Sequence, residues 1–223
     1  MRQKTFGGAN GRIPQICARL DKCSVFADIG CDHGYCTRYM LDNGLCDRAI
    51  VTDISQKSLN KAAKLLNEEV RKGKVECVCC DGLDKVRGAD LVLIAGMGGE
   101  EIVGILKRGY IPERFVFQPM KNAGLLRRYL VENGCRIIED TLFRSGKFYF
   151  IIKGEREGGT YEYSDAEYAF GRDSINEVLF QTYIDLELSK ISGYLQSGMS
   201  SESRSELLRR QEFLRSVQRH ETH

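Results

Sequence analysis

The sequence is poor in the features that mark membrane, secreted and repetitive proteins. Its 223 residues include no tryptophan, three prolines and three histidines. No stretch approaches the roughly 18 consecutive apolar residues of a transmembrane helix, and residues 1–17 lack the apolar segment of a secretory signal. With 42% hydrophobic and 29% charged residues, the chain is predicted to be a globular cytoplasmic protein with no membrane partner.

Nine cysteines, an odd number, lie between Cys17 and Cys135, several of them in segments with the pattern of buried strands or helices. This distribution is typical of a reducing compartment rather than of a disulfide framework. Cys77 and Cys80 form one C-x-x-C spacing, but no second Cys or His pair follows at the spacing of zinc ligands. We therefore expect free thiols and no metal site.

The total charge of +2 conceals opposite charges in two parts of the chain. Residues 1–154 contain 25 Lys and Arg against 18 Asp and Glu, a net charge of +7. Residues 155–223 contain 8 against 13, a net charge of −5. A mildly basic first part is compatible with a phosphate-rich partner, although it has none of the polybasic runs that indicate nucleic-acid binding by themselves.

From residue 25 to residue 153, short apolar runs alternate with amphipathic segments. This alternation is typical of βαβ units and predicts an α/β domain with a mostly parallel sheet. The Ser145-Gly146 turn joins the last two runs, which we expect to form an antiparallel hairpin. The predicted strands are residues 25–30, 49–54, 75–80, 89–95, 115–118, 135–143 and 147–152.

Residues 155–223 are predicted to form a second, helical domain, after a domain that spans residues 1–154. Glycine and polar residues dominate residues 154–165 and indicate a linker. Two apolar stripes with helical spacing follow, separated by a break at Gly198. They predict either a C-terminal helical hairpin or a helical cover for an apolar face of the first domain. The stripes are Phe180, Ile184, Leu188, Ile191 and Leu195, and then Leu207, Leu214 and Val217.

The first predicted strand runs into a loop with the sequence Asp28-Ile29-Gly30-Cys31-Asp32-His33-Gly34. In an open α/β sheet the ligand binds beyond the carboxyl ends of the strands, so this loop is the expected site. Its G-x-x-x-G spacing differs from the dinucleotide pattern G-x-G-x-x-G, and the carboxylate of Asp32 would repel a pyrophosphate. The loop therefore disfavours a nicotinamide cofactor.

Polar residues and glycines also follow the next three predicted strands. Asp53 lies 23 residues after Gly30, where a carboxylate can accept hydrogen bonds from both hydroxyls of a ribose. Asp81-Gly82 follows the third strand, and a glycine-rich segment, residues 96–99, follows the fourth. These strand ends converge on one crevice that suits a nucleoside without phosphates, and S-adenosylmethionine fits this description better than a dinucleotide.

The sequence resembles the bacterial tRNA (adenine-22, N1) methyltransferases, which are class I, S-adenosylmethionine-dependent enzymes with a Rossmann-like sheet. The motifs that carry the resemblance are ADIGCDHGY (residues 27–35), CDGLD (80–84), AGMGG (95–99) and QP (118–119). It covers residues 16 to 154 approximately, and the helical tail matches in placement. Three residues depart from the family's pattern: Cys31 replaces serine, Gly34 replaces alanine, and Met120 replaces asparagine.

The resemblance implies methylation of N1 of an adenine in the D-arm region of tRNA. In this reaction a carboxylate near the ring would stabilise the positive charge and could accept a proton from the exocyclic amine. We predict Asp32 for this catalytic role; the alternative is that Asp32 caps the following helix. The predicted cofactor-binding residues are Asp28, Gly30, Asp53, Asp81, Gly82, Ala95, Gly96 and Met97.

Adenine N1 faces its pairing partner in a duplex, so the enzyme must act on a base that has left its stack. Tyr35 could stack on this base, and His33 could orient it; core packing and a local hydrogen bond are the respective alternatives. Gln118 and Pro119 are predicted substrate contacts from the QP motif. The candidate phosphate contacts, which are not ranked, are Arg12, Arg19, Lys121, Arg127 and Arg128. Arginines also concentrate on the last helix, which could contact the tRNA or could equally be a solvated face. These are Arg204, Arg209, Arg210, Arg215 and Arg219.

Two other functions remain open at this point. The same cofactor could serve a small-molecule or protein acceptor, or the chain could be a module that binds nucleotide or RNA without catalysis. A monomer is the simplest assembly, although a helical hairpin can also mediate dimerisation.

Overall fold

The computed structural model describes residues 11–176 and 178–219. A seven-stranded sheet with the order β3-β2-β1-β4-β5-β7-β6 forms its centre. The strands are β1 (Val25–Ile29), β2 (Arg48–Asp53), β3 (Val75–Cys79), β4 (Leu91–Met97), β5 (Arg114–Pro119), β6 (Cys135–Ser145) and β7 (Lys147–Arg156). All seven predicted strands are confirmed, with bounds that differ by a few residues.

The sheet is mostly parallel, as predicted. Strands β1 to β5 pair in parallel, whereas β7 pairs antiparallel with both β5 and β6. Since β6 is antiparallel to β7, it runs in the same direction as β1 to β5. The carboxyl end of β6 therefore lies at the same edge of the sheet as the carboxyl ends of the first five strands.

Nine α-helices and one short 3₁₀ segment surround the sheet in the described part of the chain. Ile16, Met40 and Leu59 pack on one face of the sheet, and Ile102 and Leu126 pack on the other. The central strand β4 is covered on both faces, which explains its continuous apolar sequence. The helices are α1 (Arg12–Cys17), α2 (Tyr35–Asp42), α3 (Gln56–Leu65), α4 (Asn67–Arg71), α5 (Gly99–Arg108), α6 (Ala123–Glu132), α7 (Asp165–Phe170), α8 (Val178–Leu195) and α9 (Ser201–Arg219), and the 3₁₀ segment is Ser174–Asn176.

The helical tail satisfies both alternatives that its apolar stripes left open. Helices α8 and α9 form an antiparallel hairpin, in which the Gln218 side chain donates a hydrogen bond to Asp185 at 2.9 Å. The stripe of α8 also packs on the β6–β7 hairpin, where Leu142 joins Ile184 in one core cluster. The division into domains at residue 154 stays a prediction.

Three local differences from the predicted elements have physical reasons. The segment after Ser55 is two helices, because the chain leaves the α conformation at Leu66. Strand β7 extends to Arg156, since it is paired on both sides, and this shortens the predicted linker. The short helix α1 was not predicted; Pro14 lies in its first turn, where proline is tolerated. No helix among the described residues is long and apolar enough to cross a bilayer.

Candidate functional site

A cavity of about 710 Å³ lies at the carboxyl edge of the sheet, between the ends of β1, β2 and β4. The loops that follow β1, β2, β3 and β4 all contribute to its wall, as expected for a parallel sheet. All eight residues that were predicted to bind the cofactor line it, which shows that the separate motifs converge in space. These residues are Asp28, Gly30, Asp53, Asp81, Gly82, Ala95, Gly96 and Met97.

Two glycines allow the backbone to border the cavity closely. Gly30 and Gly96 have φ values of 67° and 83°, in the region that favours glycine. A Cβ atom on Gly30 would lie 2.1 Å from Cε of Met97, and one on Gly96 would lie 3.1 Å from Nη1 of Arg12. A side chain at either position would therefore displace a neighbour that itself lines the cavity.

The carboxylate of Asp53 is oriented by two backbone amides at the end of β2. The N–H of Asp32 donates to its Oδ2 at 3.2 Å, and the N–H of Ser55 donates to its Oδ1 at 2.8 Å. Each carboxylate oxygen retains capacity for a further donor. Asp53 can therefore accept hydrogen bonds from the two hydroxyls of a ribose while its side chain stays fixed.

Asp28 is buried at the end of β1 and connects this strand to α2. The hydroxyl of Thr37 donates to its Oδ2 at 2.8 Å. Burial raises the pKa of Asp28 from its ordinary value of 3.8 to about 6, and the hydrogen bond from Thr37 opposes this shift. Asp28 thus organises the first loop, although it also lines the cavity.

Asp32 stands at the rim of the cavity with its side chain 58% exposed. Its φ of 44° is unusual for a residue other than glycine, and Asp is among the few residues that tolerate it. Lys61 Nζ lies 2.9 Å from Oδ1, and His33 Nε2 lies 3.6 Å from Oδ2. The hydrogen bond from Lys61 holds the pKa of the Asp32 carboxyl below its ordinary value, so this group is ionised at neutral pH. The N-cap of α2 is Gly34, not Asp32.

His33 and Tyr35 present two parallel rings to the same cavity. Their centroids are 5.3 Å apart and their planes differ by 3°. Both residues line the cavity wall. An aromatic surface next to a carboxylate is a suitable arrangement for a flat aromatic ring.

Gln118 and Pro119 lie beside the cavity rather than in its wall. The buried side chain of Gln118 accepts a hydrogen bond from Nη1 of Arg12 at 2.8 Å and donates one to the carbonyl oxygen of Pro119 at 2.9 Å. Arg12 does line the cavity, whereas the sequence had suggested it only as a phosphate contact. Gln118 of the QP motif therefore contacts the cavity only indirectly, through its hydrogen bond with Arg12.

The structure contradicts the predicted RNA contact of Arg127. This side chain is fully buried, with Nε 2.6 Å from Oδ2 of Asp140 and Nη2 2.8 Å from Oδ1. Its guanidinium also lies over the ring of Phe150, at 4.6 Å from the centroid. Because a buried, bidentate ion pair cannot reach a phosphate, Arg127 has a structural role. The neighbouring Arg128 is half exposed and lies over the ring of Tyr168, so it stays a prediction.

Two cations at the rim were not identified from the sequence. Lys61 binds Asp32, and Arg108 Nη2 lies 2.9 Å from Oδ2 of Asp81. Lys61 lies in the middle of α3 without any distinguishing pattern. Arg108 lies in the last turn of α5, where a cation is expected from the helix dipole alone. Neither position carries a sequence signal for the site, since both contacts join segments distant in sequence.

The described residues contain no group of three or more His, Cys, Asp and Glu side chains that could hold a metal ion. All nine cysteines, which lie in this part of the chain, are free thiols. Cys79 is exposed at the end of β3, Cys77 lies in the middle of this strand, and Cys80 follows it.

Comparisons with known proteins agree with this geometry. Residues 9–152 match the family model described as a methyltransferase domain. A Bacillus subtilis protein named tRNA (adenine(22)-N(1))-methyltransferase is 28% identical over 151 residues, which are 65% of this chain and 63% of that protein. The chain thus spans just under two thirds of the length of this curated relative.

Solved structures show the same fold over nearly the whole chain. A Streptococcus agalactiae protein of the NADB-Rossmann superfamily is 25% identical, with a TM-score of 0.83 over 92% of this chain and 95% of that chain. M. capricolum TrmK in complex with S-adenosyl-homocysteine is 24% identical, with a TM-score of 0.83 over the same shares. Since the family model covers more than half of the sequence, this chain belongs to the methyltransferase domain family.

Proposed function

We propose that this chain transfers a methyl group from S-adenosylmethionine to N1 of an adenine in the D-arm region of tRNA, at position 22. The observation that carries the proposal is one cavity in which the acidic and glycine residues of four strand ends converge, with the carboxylate of Asp32 at its rim. Membership of the methyltransferase domain family and the name of the Bacillus subtilis relative support it.

The cavity has the residues that S-adenosylmethionine requires. Asp53 would bind the ribose hydroxyls, Asp81 and Gly82 would border the adenine, and Gly30 and Gly96 would allow the methionine part to approach the backbone. The carboxylates in the wall suit a sulfonium cation and would repel a pyrophosphate. When bound, S-adenosylmethionine supplies an electrophilic methyl group.

Asp32 would act on the target base. The nucleophile is the lone pair of adenine N1, so correct placement of the base supplies most of the rate. The ionised carboxylate of Asp32 would stabilise the positive charge that develops on the ring and could accept a proton from the exocyclic amine. The parallel rings of His33 and Tyr35 would contact the flat face of the base.

The ion pair between Lys61 and Asp32 keeps the carboxylate in place before the substrate arrives. Lys61 is 40% exposed and extends from the surface of α3, so it can turn towards solvent when the base occupies the rim. Because N1 lies on the pairing edge of adenine, the target base must leave its stack to reach Asp32.

The proposal is tested by incubating the full chain with unmodified bacterial tRNA and S-adenosylmethionine that carries a labelled methyl group. We expect label in tRNA, and digestion followed by mass analysis should identify N1-methyladenosine at position 22. A tRNA with guanine at this position is the matched control and should take up no label. Binding of S-adenosylmethionine without transfer to any tRNA would overturn the assignment of the substrate.

A further inference from the structure

A second cavity of about 1080 Å³ lies next to the first one, between the sheet and the helical hairpin. Its walls are the segment after β5 (residues 119–125), the turn between β6 and β7, and the facing sides of α8 and α9. We call this cavity the hairpin groove. Among the described residues, five cations line it, against the single carboxylate of Glu187. The cations are Lys121, Arg144, Lys147, Lys190 and Arg210.

The hairpin groove opens at the same edge of the sheet as the candidate cofactor cavity. The β6–β7 turn lies at the carboxyl edge because β6 runs parallel to β1 to β5. The segment after β5 connects the two cavities: the N–H of Met120 donates to the carbonyl of Met97 at 2.8 Å, and the N–H of Gly99 donates to the carbonyl of Lys121 at 2.9 Å. Met97 lines the cofactor cavity, so the two sites share this backbone junction.

The cations of the hairpin groove are mostly unneutralised. Lys121, Arg144 and Lys147 are exposed, and none of them has a carboxylate within 4 Å among the residues that the structure describes. Glu187 is already shared, since it lies 2.7 Å from Lys190 and 3.0 Å from Arg210. The groove thus has an excess of positive charge that its own side chains do not balance.

The positions of these cations also suit an extended polyanion. Lys121 comes from the segment after β5, Arg144 and Lys147 flank the β6–β7 turn, and the remaining two come from α8 and α9. The guanidinium of Arg144 lies over the ring of Phe148, 5.5 Å from its centroid, which limits its motion. Cations from four separate elements around one open groove match a chain of phosphates better than a single anion.

We infer that the hairpin groove binds the phosphate backbone of the tRNA strand that flanks the target adenosine. This inference rests on the proposed function, because it takes tRNA as the substrate. With the backbone in the hairpin groove, the flanking nucleotide passes over the segment after β5 and the extruded base enters the rim at Asp32. Arg210 of α9 lines the groove, whereas Arg204 donates to the carbonyl of Leu195.

The test is a pair of double variants with the same change in net charge. Arg144→Glu with Lys147→Glu alters the groove at an exposed turn, and Lys72→Glu with Lys74→Glu alters the opposite region of the sheet, before β3. The measurements are the tRNA dissociation constant as a function of salt, the dissociation constant of S-adenosylmethionine, and methyl transfer. Thermal unfolding of each variant verifies that it is folded, and the milder Arg144→Gln with Lys147→Gln variant serves if the charge reversal unfolds the protein.

We expect the groove variant to bind tRNA at least about tenfold more weakly than the wild type. The slope of log affinity against log salt concentration should become shallower by about 0.9 for each phosphate contact that is lost. Its binding of S-adenosylmethionine should be unchanged, and the Lys72 and Lys74 variant should bind tRNA like the wild type. Equal weakening in both double variants would overturn the inference. So would unchanged tRNA binding with an altered oligomeric state, which would make the groove a contact between copies.

Failure of the proposed function gives a different result. In that case the wild-type chain transfers no methyl group to tRNA, whatever the groove variants do. If the wild type methylates tRNA and the groove variants have an unchanged KM for tRNA, the substrate is correct and the groove is not its binding surface.

Discussion

The two cavities at the carboxyl edge of the sheet differ in charge. The cavity between β1, β2 and β4 has carboxylates at its wall and rim, from Asp28, Asp32, Asp53 and Asp81. The hairpin groove, beside β5 to β7, is lined by five cations and one carboxylate in the part of the chain that the structure describes. One sheet edge thus offers an acidic site for a cationic nucleoside and a basic site for a polyanion. The segment after β5 lies between them, so under the proposed function it would bring the methyl donor and the nucleic acid together.

The largest effect is expected at Asp32, on the rim of the cavity between β1, β2 and β4. Asp32→Asn removes the charge and keeps a residue that tolerates positive φ. We expect kcat for tRNA methylation to fall by about 10²- to 10⁴-fold, the usual range for loss of a general base. The dissociation constant of S-adenosylmethionine, measured by calorimetry, should not change. Asp42→Asn, at an exposed carboxylate of α2, is the control, and a variant at Asp32 with wild-type kcat would remove its catalytic role.

The stability of the structure beside the hairpin groove depends on the buried ion pair between Arg127 and Asp140. Arg127→Met leaves the carboxylate of Asp140 buried without its partner, which costs about 3–5 kcal/mol in the free energy of unfolding. Urea unfolding measures this loss. Arg128→Met, next to it on α6 but half exposed, should cost less than about 1 kcal/mol. Equal losses in the two variants would contradict the structural role of Arg127.

The free energy of unfolding should depend on pH through Asp28, which lines the acidic cavity. Because the pKa of Asp28 is raised to about 6 in the folded state, its neutral form stabilises the fold. This contribution is complete below pH 3.8, the ordinary pKa, and is lost as the pH rises through about 6. The shift corresponds to about 3 kcal/mol. Relative to the wild type, Asp28→Asn should gain this amount in unfolding free energy between about pH 4 and pH 7; a difference independent of pH would contradict the prediction.

The smallest effect is expected when a glycine at positive φ is replaced by alanine, and two such variants distinguish backbone strain from loss of cofactor contact. Gly30→Ala and Gly44→Ala both place a side chain at positive φ, and each should lose about 1–2 kcal/mol of stability. A Cβ on Gly44 meets no atom within 4 Å, whereas one on Gly30 meets Met97. Only Gly30→Ala should therefore weaken binding of S-adenosylmethionine. If the two variants bind the cofactor equally well, Met97 does not shape the cavity.

The two cavities also differ in how far they could be predicted from the sequence. The acidic and glycine residues of the acidic cavity could be predicted, because each motif follows a strand and parallel strands end at one edge. The cations at its rim, Lys61 and Arg108, could not, since their contacts join segments distant in sequence. The pairing of α8 with α9 could be predicted from their stripes. The groove could not, since it depends on Leu142 and other β6–β7 side chains packing on a helix about 40 residues away, between Val178 and Leu195.

The sequence contained a signal that Arg127 is buried, but the positive charge of this residue favoured the opposite prediction. In α6 it lies four residues after Ala123 and four before Val131, and these positions form the buried face. Helical periodicity therefore indicated burial, whereas the positive charge suggested a phosphate contact. The partner that resolves this conflict, Asp140, lies in the next strand, and a bidentate pair is recognised only when both positions are known in space.

Paired binding measurements on one preparation test whether the two cavities bind different ligands. The dissociation constants of S-adenosylmethionine and of unmodified tRNA are measured for Asp53→Asn and for the Arg144→Glu, Lys147→Glu variant. We expect Asp53→Asn to lose affinity for S-adenosylmethionine by about tenfold or more and to retain affinity for tRNA. The groove variant should show the reverse. Loss of both affinities in either folded variant, or of neither in both, would contradict a sheet edge divided between an acidic cofactor site and a basic RNA site.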